Sequence, residues 1–470
     1  MAYWHILTLM KLAHSHISTL FLSAISALGF SQNKTPNVIF ILADDLGYSD
    51  IQPYGQEKIL TPNLNAMARN GMQFMQFYAG TSVSAPSRAS LMTGLHTGHT
   101  RVRGNKEYAP EGQEPLGTDK TLGDLFQSAG YVTGCFGKWG LGFPSSGAET
   151  TDKGFDVFYG YNCQRQAHTY YPQWLYSNKT KVMLDGKQYS QDLIHQQALK
   201  FIRDNKDRPF FGYFTYTLPH AGLEQPDDSI VAMYRGKFPE PKAYKGNGSY
   251  KATDEPRTQF AAMVTRLDAY VGEIRAELER LGIAENTLLI FTSDNGPHME
   301  GGADPAFFAN AQTLRGLKRS LYEGGIRVPM IAEWKGKIKS GIKTNFPATF
   351  WDMTPTFAQL TGQTKTWKQH SDGVSILPTL TGKGLQKKHA YFYWEFHEEG
   401  GRQAIRQGDW KLIKQKIKSG NPTYELYNLK NDSFEKNNVA DKNSARVEKM
   451  KKEMEKVRVP SAMFNFGLED

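Results

Sequence analysis

The 470-residue chain contains only two cysteines, Cys135 and Cys163. They could pair, but two cysteines do not make a disulfide framework, and Cys135 lies in an apolar run that is typical of a buried thiol. No group of histidines and cysteines has the spacing of a zinc site, which disfavours zinc as a cofactor. The sequence also has no internal repeat, no low-complexity tract and no nucleic-acid-binding motif, so we expect a globular protein without a nucleic-acid partner.

Long hydrophobic runs are also scarce, and the clearest one lies at the N-terminus. Residues 17–28 form an apolar core between Lys11 and the small residues Gly29 and Ser31, which predicts a secretory signal peptide over residues 1–31. A start at Met10 would make this signal more typical, and a retained membrane anchor is the alternative, although the run is short for a membrane span. We therefore expect a periplasmic or extracellular protein without stable membrane insertion.

Charges of both signs are mixed along the chain. The 56 lysines and arginines exceed the 47 acidic residues, for a net charge of +9. This excess is compatible with an anionic substrate, and a solvated basic surface explains it equally well.

Four apolar runs, each typical of a buried strand, are followed by chemically active side chains. The runs are 38–43, 131–136, 209–216 and 287–291. The polar residues that follow them are, in the same order, Asp44 with Asp45, Lys138, His220, and Asp294 with Asn295. Because ligands bind in the crevice at the carboxyl ends of parallel strands, the pattern predicts one active-site crevice in an α/β fold. Paired carboxylates at the end of a buried strand favour a bound hard cation such as Ca²⁺.

Residues 81–94 read T-S-V-S-A-P-S-R-A-S-L-M-T-G and predict a short helix. Ser84 is a good N-cap, Pro86 suits the first turn, and Gly94 is a plausible C-terminal stop. The N-terminus of such a helix favours an anion, and Arg88 adds a positive charge one turn later. A capped helix with a surface arginine explains these local features equally well.

The remaining chain divides by composition. Aromatic and amide residues crowd 154–178, which suits sugar binding, and a folded-over surface loop explains them equally well. A polar segment at 221–256 predicts a long insertion beside the cleft, followed by an amphipathic helix at 258–281. Short alternating strands between 390 and 427 and a terminal helix at 441–457 predict an antiparallel sheet with a helix. We therefore predict a catalytic domain at 32–385 and a C-terminal subdomain at 386–470.

The stretch S-A-P-S-R-A-S-L-M-T-G resembles the signature of the formylglycine-dependent (type I) sulfatases, an arylsulfatase-like family of the alkaline phosphatase superfamily. The blocks G-K-W-G-L-G, T-S-D-N-G-P and L-R-G-L-K-R-S-L-Y-E-G-G-I-R-V-P resemble further parts of that family, so the likeness covers nearly the whole mature chain. It implies a sulfuric ester hydrolase. It also implies a large, mixed, mostly parallel sheet sandwiched by helices, with a smaller C-terminal antiparallel sheet and helix.

The resemblance also implies roles for individual residues. Ser84 is expected to be oxidised to formylglycine, whose hydrated diol attacks the sulfur of the ester, and Arg88 is expected to steady that diol. The implied calcium ligands are Asp44, Asp45, Asp294, Asn295 and residue 84 itself. The implied substrate contacts are Lys138, Lys318, His220 near the leaving group, and Gln164.

One position departs from the family pattern. Many relatives carry histidine where this chain has Gly140, and we suggest His168 as a substitute for it. The serine form of the signature implies a radical-type maturase as a biosynthetic partner and a bacterial source. The expected substrate is a sulfated carbohydrate: a polysaccharide or glycosaminoglycan-type fragment, including galactose and N-acetylgalactosamine sulfates. The alternatives are a phosphoester or phosphonate hydrolase of the same superfamily, and an unmodified protein that binds sulfated glycans.

Overall fold

Seventeen strands and twelve helices are found in residues 35–367 and 371–467, the part of the chain that this computed structural model describes. The predicted signal peptide lies outside these residues. The strands are β1 (Asn37–Ala43), β2 (Met72–Tyr78), β3 (Glu107–Tyr108), β4 (Gly112–Gln113), β5 (Val132–Lys138), β6 (Val157–Tyr161), β7 (Trp174–Ser177), β8 (Thr180–Met183), β9 (Phe210–Thr215), β10 (Thr287–Ser293), β11 (Arg327–Glu333), β12 (Ile342–Thr344), β13 (Ala348–Thr349), β14 (Phe392–Phe396), β15 (Arg402–Gln407), β16 (Trp410–Gln415) and β17 (Thr423–Asn428). The helices are α1 (Pro62–Asn70), α2 (Ser84–Thr93), α3 (Leu122–Ser128), α4 (Gln164–Ala167), α5 (Ser190–Asp204), α6 (Ser229–Ala232), α7 (Pro256–Arg280), α8 (Glu323–Ile326), α9 (Met353–Leu360), α10 (Thr364–Trp367), α11 (Leu377–Thr381) and α12 (Ser444–Lys456).

A mixed sheet of eleven strands forms the centre of this described part. Its order is β12-β2-β11-β10-β1-β9-β5-β6-β7-β8, with β13 beside β2. The central strands β10, β1, β9, β5 and β6 are parallel to one another, and antiparallel strands extend the sheet on both sides. The predicted mixed, mostly parallel sheet is therefore confirmed.

Helices cover both faces of the sheet, which explains why β1 is a continuous apolar run. Ile39 and Ile41 belong to one hydrophobic cluster, while Phe40 and Leu42 belong to the cluster on the opposite face. Helix α7 packs its apolar side on the first cluster. The helix spans Pro256–Arg280, whereas the predicted helix spans residues 258–281. Helices α2, α3 and α9 pack in the second cluster.

The predicted C-terminal antiparallel sheet is confirmed as β14-β15-β16-β17. On one face Leu412 and Leu426 pack against Met450 and Met454 of α12. On the other face, Trp394 and its neighbours share a hydrophobic cluster with residues of the large sheet and of α8. Residues from Pro36 onward therefore form one compact unit. The boundary at 385/386 stays a prediction.

Both cysteines are free and buried. Cys135 lies inside β5, and burial raises the pKa of its thiol well above the ordinary value. The prediction of a buried thiol is confirmed. No helix within 35–367 and 371–467 is long and apolar enough to cross a membrane.

Candidate active site

The four polar groups predicted at strand ends lie together at one edge of the sheet. The parallel register pairs Ala43 with Ser293, Leu42 with Thr215, and Gly137 with Thr215, so these strands end side by side. The six side chains that follow are all buried: Asp44, Asp45, Lys138, His220, Asp294 and Asn295. The sheet therefore delivers three carboxylates, an amide, an ammonium group and an imidazole to one crevice.

Helix α2 enters this crevice with its N-terminus. The predicted N-cap is wrong by one residue, because Val83 has the extended cap conformation and Ser84 is the first helical residue. Ser84 is 1% exposed, and its hydroxyl donates to Asp44 Oδ1 at 3.1 Å and so does not cap its own helix. The Asn105 side chain accepts the Ala85 N–H at 2.9 Å instead. Gly94 ends the helix in a left-handed conformation, as predicted.

Arg88 lies inside the site, so the alternative of a surface arginine is wrong. Its Nε donates to Asp294 Oδ2 at 3.0 Å, and its Nη2 lies 3.5 Å from Asp44 Oδ1. Its Nη1 donates to the Lys138 carbonyl at 2.9 Å. Burial opposes its charge, but the two carboxylates outweigh burial and raise the pKa of Arg88. The guanidinium is therefore a fixed positive charge beneath Ser84.

Lys138 bridges Ser84 and Asp44. Its Nζ lies 2.6 Å from Asp44 Oδ2 and 3.3 Å from Ser84 Oγ. Burial raises the pKa of Asp44, but Lys138 and Arg88 outweigh burial and lower it below its usual value. Asp44 is therefore ionised, and its lowered pKa makes it a weak base toward the serine hydroxyl.

Four side chains offer oxygen ligands to a cation. Asp45 N–H donates to Asp294 Oδ1 at 3.0 Å, and Asn295 Nδ2 donates to Asp45 Oδ1 at 2.7 Å. The Asn295 Oδ1 atom is buried and has no hydrogen-bond partner among the described residues. An unpaired buried amide oxygen beside three buried carboxylates matches the ligand preference of a hard cation such as Ca²⁺.

His220 and Lys318 form the opposite side of the crevice. Lys318 Nζ lies 2.7 Å from Asp45 Oδ2 and 3.1 Å from His220 Nε2. His220 Nδ1 donates to the Ala221 carbonyl, so the Nε2 lone pair faces the ammonium group. Burial, reinforced by the two active-site lysines, lowers the pKa of His220 well below its ordinary value. The imidazole is therefore neutral, and its Nε2 accepts a hydrogen bond from Lys318.

The sequence reasoning missed a pair behind these groups. His298 Nδ1 lies 3.2 Å from Glu300 Oε2, and Glu300 Oε1 lies 3.5 Å from Lys318 Nζ. The His298 ring stacks on the His220 ring with centroids 5.5 Å apart. The position of His298, directly after the block T-S-D-N-G-P, is the signal that could have found it.

Gln164 lies beside Gly140, whereas His168, the suggested substitute for the missing histidine, lies on His220. Gly140 has φ +72°, and a Cβ on it would lie 3.2 Å from Gln164 Cγ. Gln164 therefore occupies the space beside Gly140, and its Nε2 donates to Asn105 Oδ1 at 3.4 Å. The His168 ring instead stacks face to face on His220, with centroids 4.5 Å apart. The substitution of His168 for the missing histidine stays a prediction.

The large mixed sheet, its covering helices and the small C-terminal sheet define an alkaline-phosphatase-like fold, with a buried charged site at the strand ends. The Sulfatase family model matches residues 36–363, and the model described as N-sulphoglucosamine sulphohydrolase, C-terminal, matches residues 317–460. The chain belongs to the sulfatase family and is a sulfuric ester hydrolase.

Individual relatives agree with this assignment. The N-acetylgalactosamine-6-sulfatase of Rattus norvegicus is 29% identical over 402 residues, covering 79% of this chain and 71% of the rat protein. The crystal structure of Ps i-CgsB in complex with k-i-k-neocarrahexaose is similar at a TM-score of 0.76 and 30% identity, covering 90% of this chain and 92% of that one. The phosphonate monoester hydrolase of Agrobacterium radiobacter shares the fold alone, at a TM-score of 0.62 and 20% identity, covering 90% of this chain and 95% of that one.

Proposed function

We propose that this sulfatase hydrolyses sulfate esters of carbohydrates, with a formylglycine made from Ser84 as its nucleophile and calcium as its cofactor. The substrate class is supported by two relatives, one named for N-acetylgalactosamine and one solved with neocarrahexaose. The observation that carries the proposal is the buried Ser84 between Asp44, Arg88 and Lys138. We also propose export to the periplasm or the outside of the cell, which rests on the pattern of residues 1–31.

The surroundings of Ser84 support a modified residue over a serine nucleophile. A serine hydroxyl is weak unless a neighbouring base takes its proton. Here its partners are the ionised Asp44 and the ammonium group of Lys138, while His220 faces Asp45 and Lys318. Oxidation of Ser84 by a radical-type maturase would supply a hydrated aldehyde, which carries its own nucleophilic hydroxyl.

The cation would be held by Asp44, Asp45, Asp294, Asn295 and the modified residue 84. Bound there, it would supply positive charge against the sulfate oxygens. The protein adds fixed charges of its own: Arg88, Lys138 and Lys318 are buried and are positioned to stabilise the three sulfonyl oxygens in the transition state.

The departing alcohol needs a proton, and Lys318 is the member of the Lys318–His220 pair that carries one. The two nitrogens are 3.1 Å apart, so the neutral His220 accepts a hydrogen bond from Lys318 and orients the ammonium group for proton donation to the leaving oxygen. His168, stacked on His220, and Gln164, beside Gly140, are proposed substrate contacts on the walls of the crevice.

The first experiment is mass spectrometry of the tryptic peptide covering residues 70–88, from protein coexpressed with a maturase. The expected peptide is lighter than the unmodified one by two hydrogens, and Ser84→Ala abolishes both the mass difference and turnover. Unmodified serine in fully active enzyme would contradict the formylglycine. Unmodified serine in inactive protein that still binds sulfated glycans would favour the binding-protein alternative.

The second experiment compares substrates. Defined sulfated galactose, N-acetylgalactosamine and glucosamine saccharides are assayed beside the matching phosphate esters. We expect sulfate release from a saccharide and much slower release of phosphate. Faster turnover of phosphate or phosphonate esters would favour the phosphohydrolase alternative, which the shared fold leaves open.

A further inference from the structure

The insertion predicted at 221–256 reaches the active site through a small hairpin. Tyr244 and Thr253 form an antiparallel bridge, and Asn247 and Tyr250 form a second one at the tip. Beside the tip, Lys251 pairs with Glu224. At its inner end, the Ser249 hydroxyl hydrogen-bonds His168 Nδ1 at 3.1 Å. The tip is therefore anchored to the side chain that stacks on His220.

Tyr250 is the aromatic residue that this tip brings to the site. Its ring centroid lies 5.1 Å from that of His168 and 6.1 Å from that of His220, at tilts of 46° and 51°. It is half-buried, so part of the ring remains open to solvent. No residue within 35–367 or 371–467 hydrogen-bonds its hydroxyl. The phenol therefore has a free donor and acceptor next to the catalytic imidazole.

The chemistry of the site indicates which half of a substrate lies there. Sulfate oxygens are held by Arg88, Lys138 and Lys318, while the proton for the leaving oxygen comes from the side of His220. The alcohol half of the ester must therefore lie near His220 and beyond it toward the open side. An aromatic face packs against the C–H groups of a sugar ring, and a phenol hydrogen-bonds its hydroxyls.

We propose that Tyr250 is a specificity-determining residue that, together with His168, forms the wall against which the sugar bearing the sulfate packs. This inference rests on the proposed carbohydrate function and assigns its recognition to the hairpin tip. A small aryl sulfate offers a single ring without hydroxyl groups for the phenol, so it depends less on Tyr250 for binding.

The test compares Tyr250→Ala and Tyr250→Phe with Lys245→Ala, an exposed change on the same hairpin, in formylglycine-containing enzyme. The substrates are the best sulfated saccharide of the panel and 4-nitrophenyl sulfate. For Tyr250→Ala we expect kcat/KM on the saccharide to fall by about tenfold, mainly through KM, with a smaller fall on 4-nitrophenyl sulfate. Tyr250→Phe, which keeps the ring, should lose less, and Lys245→Ala should lose nothing on either substrate.

Three outcomes would overturn the inference. An unchanged saccharide KM in Tyr250→Ala would remove Tyr250 from the binding wall while leaving the carbohydrate function intact. An equal loss of kcat/KM on both substrates with a lowered Tm would assign Tyr250 a structural role. In that case, a Tyr250→Phe variant with the wild-type Tm would show whether the aromatic ring alone is enough for saccharide binding. Wild-type enzyme that cleaves 4-nitrophenyl sulfate but no saccharide would overturn the proposed function and this inference together.

Discussion

The pKa of a single side chain in this site depends on the charges buried beside it. Lys318 lies between Asp45 and Glu300, and the pKa of Lys318 is raised because these carboxylates outweigh the cost of burial. A buried charge of this kind is retained only when its partners compensate its desolvation. The same carboxylates hold the ammonium group in one place, so it is pre-oriented toward an incoming sulfate.

Removal of either member of the proton pair should cost turnover. We expect Lys318→Ala and His220→Ala each to lower kcat on the true substrate by about 10²–10³, because each removes a contact that strengthens in the transition state. Steady-state kinetics measure the effect, with the exposed Lys339→Ala as the matched control. Near-full turnover in both variants would mean that the site residues are wrongly assigned.

At the scale of secondary-structure elements, a buried ion cluster joins the C-terminal sheet to helix α8, which follows Lys318 in the chain. Lys411 of β16 lies 2.9 Å from Glu323 Oε1 of α8 and 2.9 Å from Glu435 Oε1. Glu435 Oε2 accepts the Glu323 N–H at 2.6 Å. One lysine cannot neutralise two buried carboxylates, and burial together with Glu323 raises the pKa of Glu435 to about 7. Glu323, closest to the cations, has its pKa lowered to about 2.

This cluster should make stability depend on pH. The pKa of Glu435 is about 7 in the folded protein, against an ordinary value of 4.5. Protonation of Glu435 therefore stabilises the fold fully below about pH 4.5, and this contribution is lost as the pH rises through about 7. We expect Glu435→Gln, which cannot ionise, to show a smaller decline of Tm between pH 5 and pH 7 than wild type. Thermal melts over that range measure it, with the exposed Glu448→Gln as control. A variant with the wild-type decline would contradict the assignment.

On the scale of the whole molecule, the proposed cation ligands come from chain segments about 250 residues apart. The Asp45 N–H to Asp294 hydrogen bond spans 249 residues, and the Asn295 to Asp45 bond spans 250. A bound cation would therefore close a very long loop of the chain and relieve the repulsion among three carboxylates.

Metal removal should accordingly affect stability as well as activity. We expect a chelator to lower Tm and abolish turnover, and Ca²⁺ to restore both; a concentration of about 100 times Kd stabilises by about 2.7 kcal/mol. Calorimetry with and without Ca²⁺ measures this, and Asp45→Asn should show a weakened response. If chelation changes neither Tm nor turnover, no functional cation is bound there.

Much of the site could be predicted from residue patterns because strand ends are local features. Asp44, Lys138 and Asp294 each follow an apolar run, and parallel strands place such ends at one edge. The helix at Ser84 was predicted from its proline and glycine, but its first residue was misplaced, because Ser84 donates to Asp44, 40 residues away in the chain. A long-range contact of this kind leaves no local trace.

The sequence by itself determined the α/β fold, the antiparallel C-terminal sheet and the family, because apolar periodicity and motif spacing are properties of the chain. Only the tertiary structure decided which side chains meet across distant segments. It placed Gln164 against Gly140, stacked His168 on His220, and brought Tyr250 and Glu300 to the site. These residues belong to loops whose positions depend on packing against the finished sheet, and packing is set by the whole fold.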